Sequence, residues 1–237
     1  MIYADGRHEW RPYIVLDRKG VGLSELVVSP PWQLRGDGYV IFYRFDREFA
    51  LHWTPPELHD RYRGGTGAVA FVNYKDSPVG GYGELLFIPG RFHDGQKDRL
   101  SITRIFVSTY SSVMSGRANW GIPKERASFN LNLDQSGVET LTTEAINGEP
   151  IAQFTVRPGL LKMPLPNNRF FPLQLVQWWE GQQYNTKFWG SGRLGLMDVE
   201  SMQINGAQFP DISGQTPVGA VKVWGFGLTF GVPKVQP

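Results

Sequence analysis

Residues 138 to 156, "VETLTTEAINGEPIAQFTV", give the clearest indication of the fold. Two runs of strand-like composition lie on either side of Asn147 and Gly148. An Asn-Gly pair readily adopts the positive φ angles that a type I′ turn requires. The stretch therefore predicts a β-hairpin.

Two further stretches alternate in the manner of strands. In "ASFNLNLD", residues 127 to 134, three apolar side chains alternate with polar ones, which is typical of a strand with one buried face. In "VKVWGFGLTFGV", residues 221 to 232, large side chains alternate mostly with glycine. This pattern predicts that the large residues share one face of a strand. The glycine face indicates close approach of backbone or ligand, or sharp curvature of the barrel. The expected inward residues are Phe129, Leu131 and Leu133 in the first stretch, and Trp224, Phe226, Leu228 and Phe230 in the second.

Helix signals are few. Residues 111 to 121 favour a short helix, with Ser111 or Ser112 as N-cap and Gly121 ending it before Pro123. The stretch "FFPLQLVQWWEGQQYN", residues 170 to 185, fits a helix or a strand equally well, and the sequence leaves both open.

The remaining composition indicates one β-rich domain. The chain has 237 residues, and its 28 glycines and 17 prolines are spread along it, which indicates frequent turns between short segments. We expect a mainly β fold of the β-rich α+β class: an antiparallel, barrel-like sheet with a few short helices, forming a single domain over residues 1–237.

Charge and cysteine content exclude several classes of partner and site. The 24 basic and 22 acidic side chains are interspersed and give a net charge of +2, so neither nucleic acid nor an anionic membrane is an expected partner. There are no cysteines, which excludes disulfides and thiolate chemistry and favours a reducing, cytoplasmic location. Because its first residues are polar, we expect no secretory leader, and no apolar run approaches the roughly 18 residues that a membrane span needs.

Common catalytic motifs are also missing. The sequence has no phosphate-binding loop, dinucleotide fingerprint or nucleophile elbow. Its four histidines are scattered without metal-ligand spacing, so we expect neither a metal nor a cofactor. Catalysis by a lysine amine is the possibility that remains.

Three segments resemble the acetoacetate decarboxylase family. "GRANWGIPKERASF", residues 116 to 129, is similar to the family's G-R-x-x-x-G-x-P-K-K segment, in which the first lysine forms a Schiff base with a keto acid. "GGYGELLFIPG", residues 80 to 90, resembles the segment that carries an active-site carboxylate. "LRGDGYVIFYRFD", residues 34 to 46, more loosely resembles an N-terminal strand whose arginine binds the substrate carboxylate.

The resemblance implies a site and an assembly. Lys124 and Glu84 take the catalytic positions, while Arg35, Tyr82 and Arg117 are the implied substrate-binding residues. The partner would be a small keto acid or related carbonyl compound, without cofactor or metal. The family fold is a cone-shaped β-barrel, and the subunit is expected to form a homo-oligomer.

The sequence departs from the family pattern at three places. Glu125 stands where the decarboxylases have a second lysine, and Ala118 replaces a glutamate. A further acid fifteen residues before Glu84 is replaced within Ala68-Val69-Ala70. The chemistry following imine formation is therefore open.

Glu125 would oppose a nucleophilic amine if it faced Lys124, because a nearby anion favours the ammonium form. In an extended segment, neighbouring residues point to opposite faces. We therefore expect the strand to separate the two side chains, and we expect burial to activate the lysine.

Each of these residues could instead have a purely structural role. Lys124 and Glu84 could be surface residues, Arg117 could cap a helix end or pair with a carboxylate, and Tyr82 could be core. Decarboxylation is the first functional hypothesis. The alternatives are an aldolase or dehydratase acting through an iminium on a larger apolar substrate, and a non-catalytic barrel that binds hydrophobic small molecules.

Overall fold

A computed structural model describes residues 27–170 and 172–237, and these residues form mostly β-structure. The mainly β fold expected from the sequence is confirmed. The strands are β1 (Trp32–Tyr43), β2 (Tyr62–Gly64), β3 (Gly67–Asp76), β4 (Tyr82–Ile88), β5 (Arg91–His93), β6 (Asp98–Leu100), β7 (Arg104–Val107), β8 (Glu125–Arg126), β9 (Ser128–Leu133), β10 (Glu139–Glu144), β11 (Pro150–Pro158), β12 (Met163–Leu165), β13 (Leu173–Trp179), β14 (Gln182–Ile204), β15 (Pro217–Phe230) and β16 (Lys234–Gln236).

The helices are short: α1 (Arg47–His52), a 3₁₀ helix (Pro56–Arg61) and α2 (Tyr110–Trp120). No helix within residues 27–170 and 172–237 is long and apolar enough to cross a membrane. Gly121 ends α2 in the left-handed conformation (φ 63°), as expected. The predicted N-cap, Ser111 or Ser112, is wrong. The N-cap is Thr109, which has an extended backbone and whose side-chain oxygen accepts a hydrogen bond from the backbone N–H of Ser112 at 3.3 Å. The helix therefore begins earlier than predicted.

The main sheet follows the order β2-β5-β6-β13-β14-β15-β1-β3-β4-β7-β8. Most neighbours are antiparallel, but β6 with β13 and β7 with β8 are parallel. Within the described residues this path has two ends and does not close, so "barrel" describes the fold only loosely. The ambiguous stretch at 170 to 185 contributes strand β13 and the start of β14.

The predicted hairpin is present as β10 and β11, but its turn is not the predicted type I′ turn. Only Gly148, at φ 87°, has a positive φ, whereas Asn147 does not. The backbone N–H of Gly148 donates to the Ala145 carbonyl at 2.9 Å, so the chain turns at Ile146 and Asn147. β9 pairs with β10, and β11 pairs with β14, which joins this layer to the main sheet. Phe129 and Leu131 are partly buried, as expected. Leu133 is 60% exposed, contrary to the prediction, because it lies at the end of its strand.

Two hydrophobic cores lie on opposite faces of the sheet, as β4 illustrates. Leu85 and Phe87 point into the first core, whereas Tyr82 and Leu86 point toward the second. The first core is filled from β1, β3, β4, β7, β10 and β11 by residues including Tyr39, Ile41, Tyr43, Val69, Phe71, Phe106, Leu141 and Phe154. The second lies beneath α2 and includes Trp32, Leu34, Tyr74, Ile105, Val107, Trp120 and Leu175.

The predicted common face of β15 is interrupted by a bulge. β15 has one extra residue opposite both β1 and β14 near Gly225, whose φ is 53°. An extra residue reverses which side chains face each core. Phe226 therefore packs against the second core, whereas Trp224 shares the other face with Lys222 and lies 5.4 Å from its Nζ.

Candidate active site

Lys124 is buried where α2 meets β8. Gly121 turns the chain after the helix, and the backbone N–H of Lys124 donates to the Ile122 carbonyl at 2.7 Å. The next two residues form β8. The turn places the lysine side chain beneath α2, where it is only 4% exposed. It is therefore not a surface cation.

The Lys124 amine contacts residues from a strand and a helix. Its Nζ lies 2.9 Å from Glu84 Oε2 and 3.1 Å from Ser112 Oγ. The Tyr82 ring centroid is 5.4 Å away. Glu84 is 5% exposed and Ser112 fully buried, so the ion pair lies in a largely dry environment. The structure thus brings together three of the sequence-predicted residues.

Glu84 has a second partner on the adjacent strand. The Tyr74 hydroxyl donates to Glu84 Oε1 at 3.1 Å, and the rings of Tyr74 and Tyr82 lie 4.4 Å apart. Burial, reinforced by the Glu84 charge, raises the pKa of both tyrosines well above 10. Both phenols therefore remain neutral hydrogen-bond donors at neutral pH.

Glu125 points away from Lys124, as expected from the strand geometry. It forms an ion pair with the half-buried Arg104 guanidinium, whose Nε also donates to the Gln208 carbonyl at 2.8 Å. The Glu125 charge is therefore balanced by Arg104, and the strand backbone separates it from the lysine amine.

The structure does not bring Arg35 to this site. Arg35 is exposed, while Leu34 beside it on β1 is buried in the second core. Since successive residues of a strand point to opposite faces, Arg35 lies on the face away from that core. Within the single chain, Arg35 therefore does not lie on the same face as Lys124, and its role as a clamp for the substrate carboxylate stays a prediction.

Arg117 also has a different environment from the one expected. Its guanidinium lies 5.5 Å from the Trp179 ring, and burial lowers its pKa while Glu125 and Glu180 oppose the shift. Its described contacts do not include Lys124. The simpler interpretation, a cation at a helix end near carboxylates, fits this position better.

Sequence reasoning missed two residues of the site. Tyr74 lies directly opposite Tyr82 in the β3–β4 pairing, so the strand register would have identified it. The sequence pattern indicates Ser112 only as a candidate helix cap. Its contact with Lys124 depends on how α2 docks, and no local pattern signals it.

A second buried lysine lies on the other side of the sheet. Lys222 Nζ lies 2.5 and 2.7 Å from the two carboxylate oxygens of Glu139, which also accepts the Tyr39 hydroxyl. Lys222 is 5% exposed. This pair joins β15 and β1 to β10 across the first core.

The described residues suggest no metal centre, and a cleft lies close to the lysine. No group of three or more His, Cys, Asp or Glu residues within residues 27–170 and 172–237 is placed to hold a metal. A cleft of about 440 Å³ lies beside β3, β4 and β9 and is bordered by Tyr74 and Tyr82. These two tyrosines therefore border the cleft and also contact the ion pair of Lys124 and Glu84.

Comparison with known proteins decides the family. The family model described as acetoacetate decarboxylase matches residues 19–188, well over half of the chain. The chain belongs to the acetoacetate decarboxylase family. Its fold agrees with this membership, and the sequence-based identification is confirmed.

Several solved structures have a similar fold at low sequence identity. An acetoacetate decarboxylase from Legionella pneumophila is 16% identical with a TM-score of 0.63, and the match covers 88% of each chain. Another acetoacetate decarboxylase is 13% identical with a TM-score of 0.66, covering 89% of this chain and 90% of the other. The enduracididine biosynthesis enzyme MppR, complexed with the condensation product of pyruvate and imidazole 4-carboxaldehyde, is 16% identical with a TM-score of 0.62, covering 97% and 98%. A search of curated protein sequences finds no significant match.

Proposed function

We propose that this member of the acetoacetate decarboxylase family is a carbon–carbon lyase that forms a Schiff base between Lys124 and a keto acid or related carbonyl compound. The observation that carries the proposal is the buried contact of 2.9 Å between Lys124 Nζ and Glu84 Oε2. Like any nearby anion, Glu84 favours the ammonium form of the resting lysine. Unlike Glu125, it contacts Nζ directly, so it can act as the general base that accepts the ammonium proton when the amine attacks the substrate.

The proposed reaction begins when the Lys124 amine attacks the substrate carbonyl. A carbinolamine forms and loses water to give a protonated imine. This imine accepts the electron pair released when a β-carboxylate leaves as carbon dioxide, and the resulting enamine takes a proton at carbon. Glu84, held by Tyr74, would move the protons. Hydrolysis of the product imine returns the lysine.

A second outcome is favoured by a protein of the same fold that binds a condensation product. An enamine formed at Lys124 could instead add to an aldehyde and then lose water. The MppR complex with a pyruvate condensation product supports this aldol and dehydration alternative within the same fold.

The assembly and location are also proposed. Several large apolar side chains are strongly exposed, among them Leu160 at 97%, Phe170 at 90% and Leu196 at 75%. Such surface is typical of a subunit contact, so we propose a homo-oligomer formed by a single-domain subunit. The absence of cysteine supports a cytoplasmic location. Light scattering of the purified chain tests the oligomer.

Borohydride reduction tests the function. Reduction in the presence of pyruvate or acetoacetate should fix a covalent adduct on the protein, and the Lys124→Ala variant should form none. Lys124→Arg is the matched control, because it keeps a cation opposite Glu84 without a nucleophilic amine. Carbon dioxide release measured against aldehyde consumption separates decarboxylation from aldol addition. Tight ligand uptake that Lys124→Ala leaves unchanged, without adduct, would instead support the binding-protein hypothesis.

A further inference from the structure

The polar groups around Lys124 form a closed ring. Lys124 Nζ donates directly to Glu84 at 2.9 Å and to Ser112 Oγ at 3.1 Å. Tyr82 lies between Ser112 and Tyr74: its hydroxyl interacts with both side chains, and its ring is 4.4 Å from the Tyr74 ring. The Tyr74 hydroxyl reaches the other carboxylate oxygen of Glu84 at 3.1 Å. Amine and carboxylate are thus connected twice, once directly and once through three hydroxyls.

The hydroxyl path is shielded from water. Ser112 is fully buried, while Tyr82 and Tyr74 are 5% and 7% exposed. Both phenols retain their protons at neutral pH, because burial and the neighbouring carboxylate raise their pKa. Every group in the path can therefore accept one hydrogen bond and donate another, as proton transfer along a chain requires.

Schiff-base formation needs this second path at one step. Once Lys124 Nζ is bonded to the substrate carbon, the former carbonyl oxygen must leave as water and needs a proton. A substrate carbon bonded to Nζ would stand between the amine and Glu84. Ser112, which lies 3.1 Å from Nζ on the helix side, would be within reach of the new hydroxyl.

We propose that Ser112 is a further catalytic residue, which protonates the departing carbinolamine hydroxyl and is resupplied from Glu84 through Tyr74 and Tyr82. This inference rests on the proposed Schiff-base function. Neither Ser112 nor Tyr74 is among the residues that the family resemblance implied.

The steps balance. Glu84 first takes one proton from the Lys124 ammonium. The amine then attacks: a C–N bond forms, the carbonyl π pair moves to oxygen, and one amine proton passes to that oxygen. When the C–O bond breaks, Ser112 gives its proton to the leaving water and receives one from Tyr82. Tyr82 receives one from Tyr74, and Tyr74 takes the proton that Glu84 holds. The C=N bond forms, and Glu84 is again a carboxylate.

The test measures the rate at which acetoacetate and pyruvate form the borohydride-fixed adduct. Ser112→Ala and Tyr82→Phe should each slow adduct formation by about 10²-fold, the effect of losing one general acid. Because both variants break the same path, the double variant should be no slower than either single variant. Ser101→Ala is the control: Ser101 is equally buried but bonds Gln177 at 2.6 Å, so its loss should leave the rate unchanged.

The failure of the relay and the failure of the proposed function give different results. An unchanged rate in both single variants, or losses that multiply in the double variant, would overturn the relay while leaving the Schiff base intact. No adduct in the wild-type protein would overturn the proposed function and this inference together. Near-ultraviolet circular dichroism confirms folding, and if Ser112→Ala does not fold, Tyr82→Phe alone still decides, because it leaves both lysine hydrogen bonds in place.

Discussion

The α-carbon of Gly116 lies against the aliphatic side chain of Lys124: a methyl group built there would come within 2.5 Å of Lys124 Cδ and 2.8 Å of Cε. Real β-carbons do not approach so closely, so the helix needs a glycine at this position. The backbone conformation of Gly116 does not require a glycine. A glycine is needed there because the Lys124 side chain occupies the space that a β-carbon would take. Helix α2 thereby forms the surface that positions the amine.

Gly116→Ala should displace the amine with little loss of fold, because the clashing atoms belong to a flexible side chain. A shift of about 1 Å at a reacting group can cost about 10²-fold in rate. We expect adduct formation to slow by that order. Gly219→Ala is the matched control, since a methyl group added there would meet no other atom within 4 Å. Equal rates in both variants would contradict the positioning role.

Glu84→Gln should preserve a side-chain contact to Tyr74 while removing the proton acceptor beside Lys124. We expect the rate of adduct formation to fall by about 10² to 10⁴-fold, as for loss of a general base. Stopped-flow mixing with pyruvate followed by reduction measures this rate. A variant as fast as wild type would show that another group deprotonates the lysine.

Lys222→Met should damage stability without preventing adduct formation at Lys124. It leaves Glu139 buried without its cation, and breaking a buried pair costs about 3 to 5 kcal/mol. Denaturant unfolding should show this loss, while reduction with acetoacetate should still label the folded fraction. Replacing Glu139 by Gln in the same chain should recover part of the stability.

Glu125→Ala should likewise separate stability from chemistry. It leaves the Arg104 guanidinium, with a side chain only 18% exposed, without its ion-pair partner. We expect a loss of about 1 to 3 kcal/mol in the free energy of unfolding and an unchanged adduct rate. Glu125→Gln should lose less, because it retains an acceptor. A large change in adduct rate would mean that Glu125 acts on Lys124 after all.

Asp94 should make stability depend on acid pH. Burial alone would raise its pKa, but Arg99 and the backbone N–H groups of Lys97 and Gln96 outweigh burial and hold the pKa below its ordinary value of 3.8. A carboxyl with a lowered folded-state pKa stabilises fully above its unfolded value, and that contribution is lost as pH falls through the folded value.

The comparison with Asp94→Asn checks this dependence. The variant should be less stable than wild type at neutral pH, by about 1 to 3 kcal/mol. The difference in the free energy of unfolding should shrink as the pH drops below about 4. A difference that stays constant down to pH 2 would contradict it.

Local patterns predicted the local features well. Asn147-Gly148 marked the position of the hairpin, although only Gly148 adopts the positive φ that a type I′ turn requires of both residues. Gly121 marked the end of α2, because few residues other than glycine adopt its left-handed conformation. The alternation rule also separated Lys124 from Glu125 correctly. The same rule failed for Trp224, because a one-residue bulge at Gly225 reverses the faces and leaves no unambiguous mark in the composition.

The sequence predicted only those residues of the site that lie in recognisable motifs. Lys124, Glu84 and Tyr82 were found through segments that resemble the family, whereas Ser112 joins them through the docking of a helix against a sheet. The position of Arg35 was inferred from sequence interval alone, and the strand register puts its side chain on the other face. Tertiary contacts of this kind have no short-range signal.

The most direct test of the central claim is peptide-resolved mass spectrometry of the protein reduced with borohydride in the presence of acetoacetate or pyruvate. The chain offers an internal comparison, because Lys124 and Lys222 are both buried beside a glutamate. We predict an adduct on the peptide containing Lys124 and none on the peptide containing Lys222. No adduct at Lys124 with either compound, or equal labelling of the two lysines, would contradict the account.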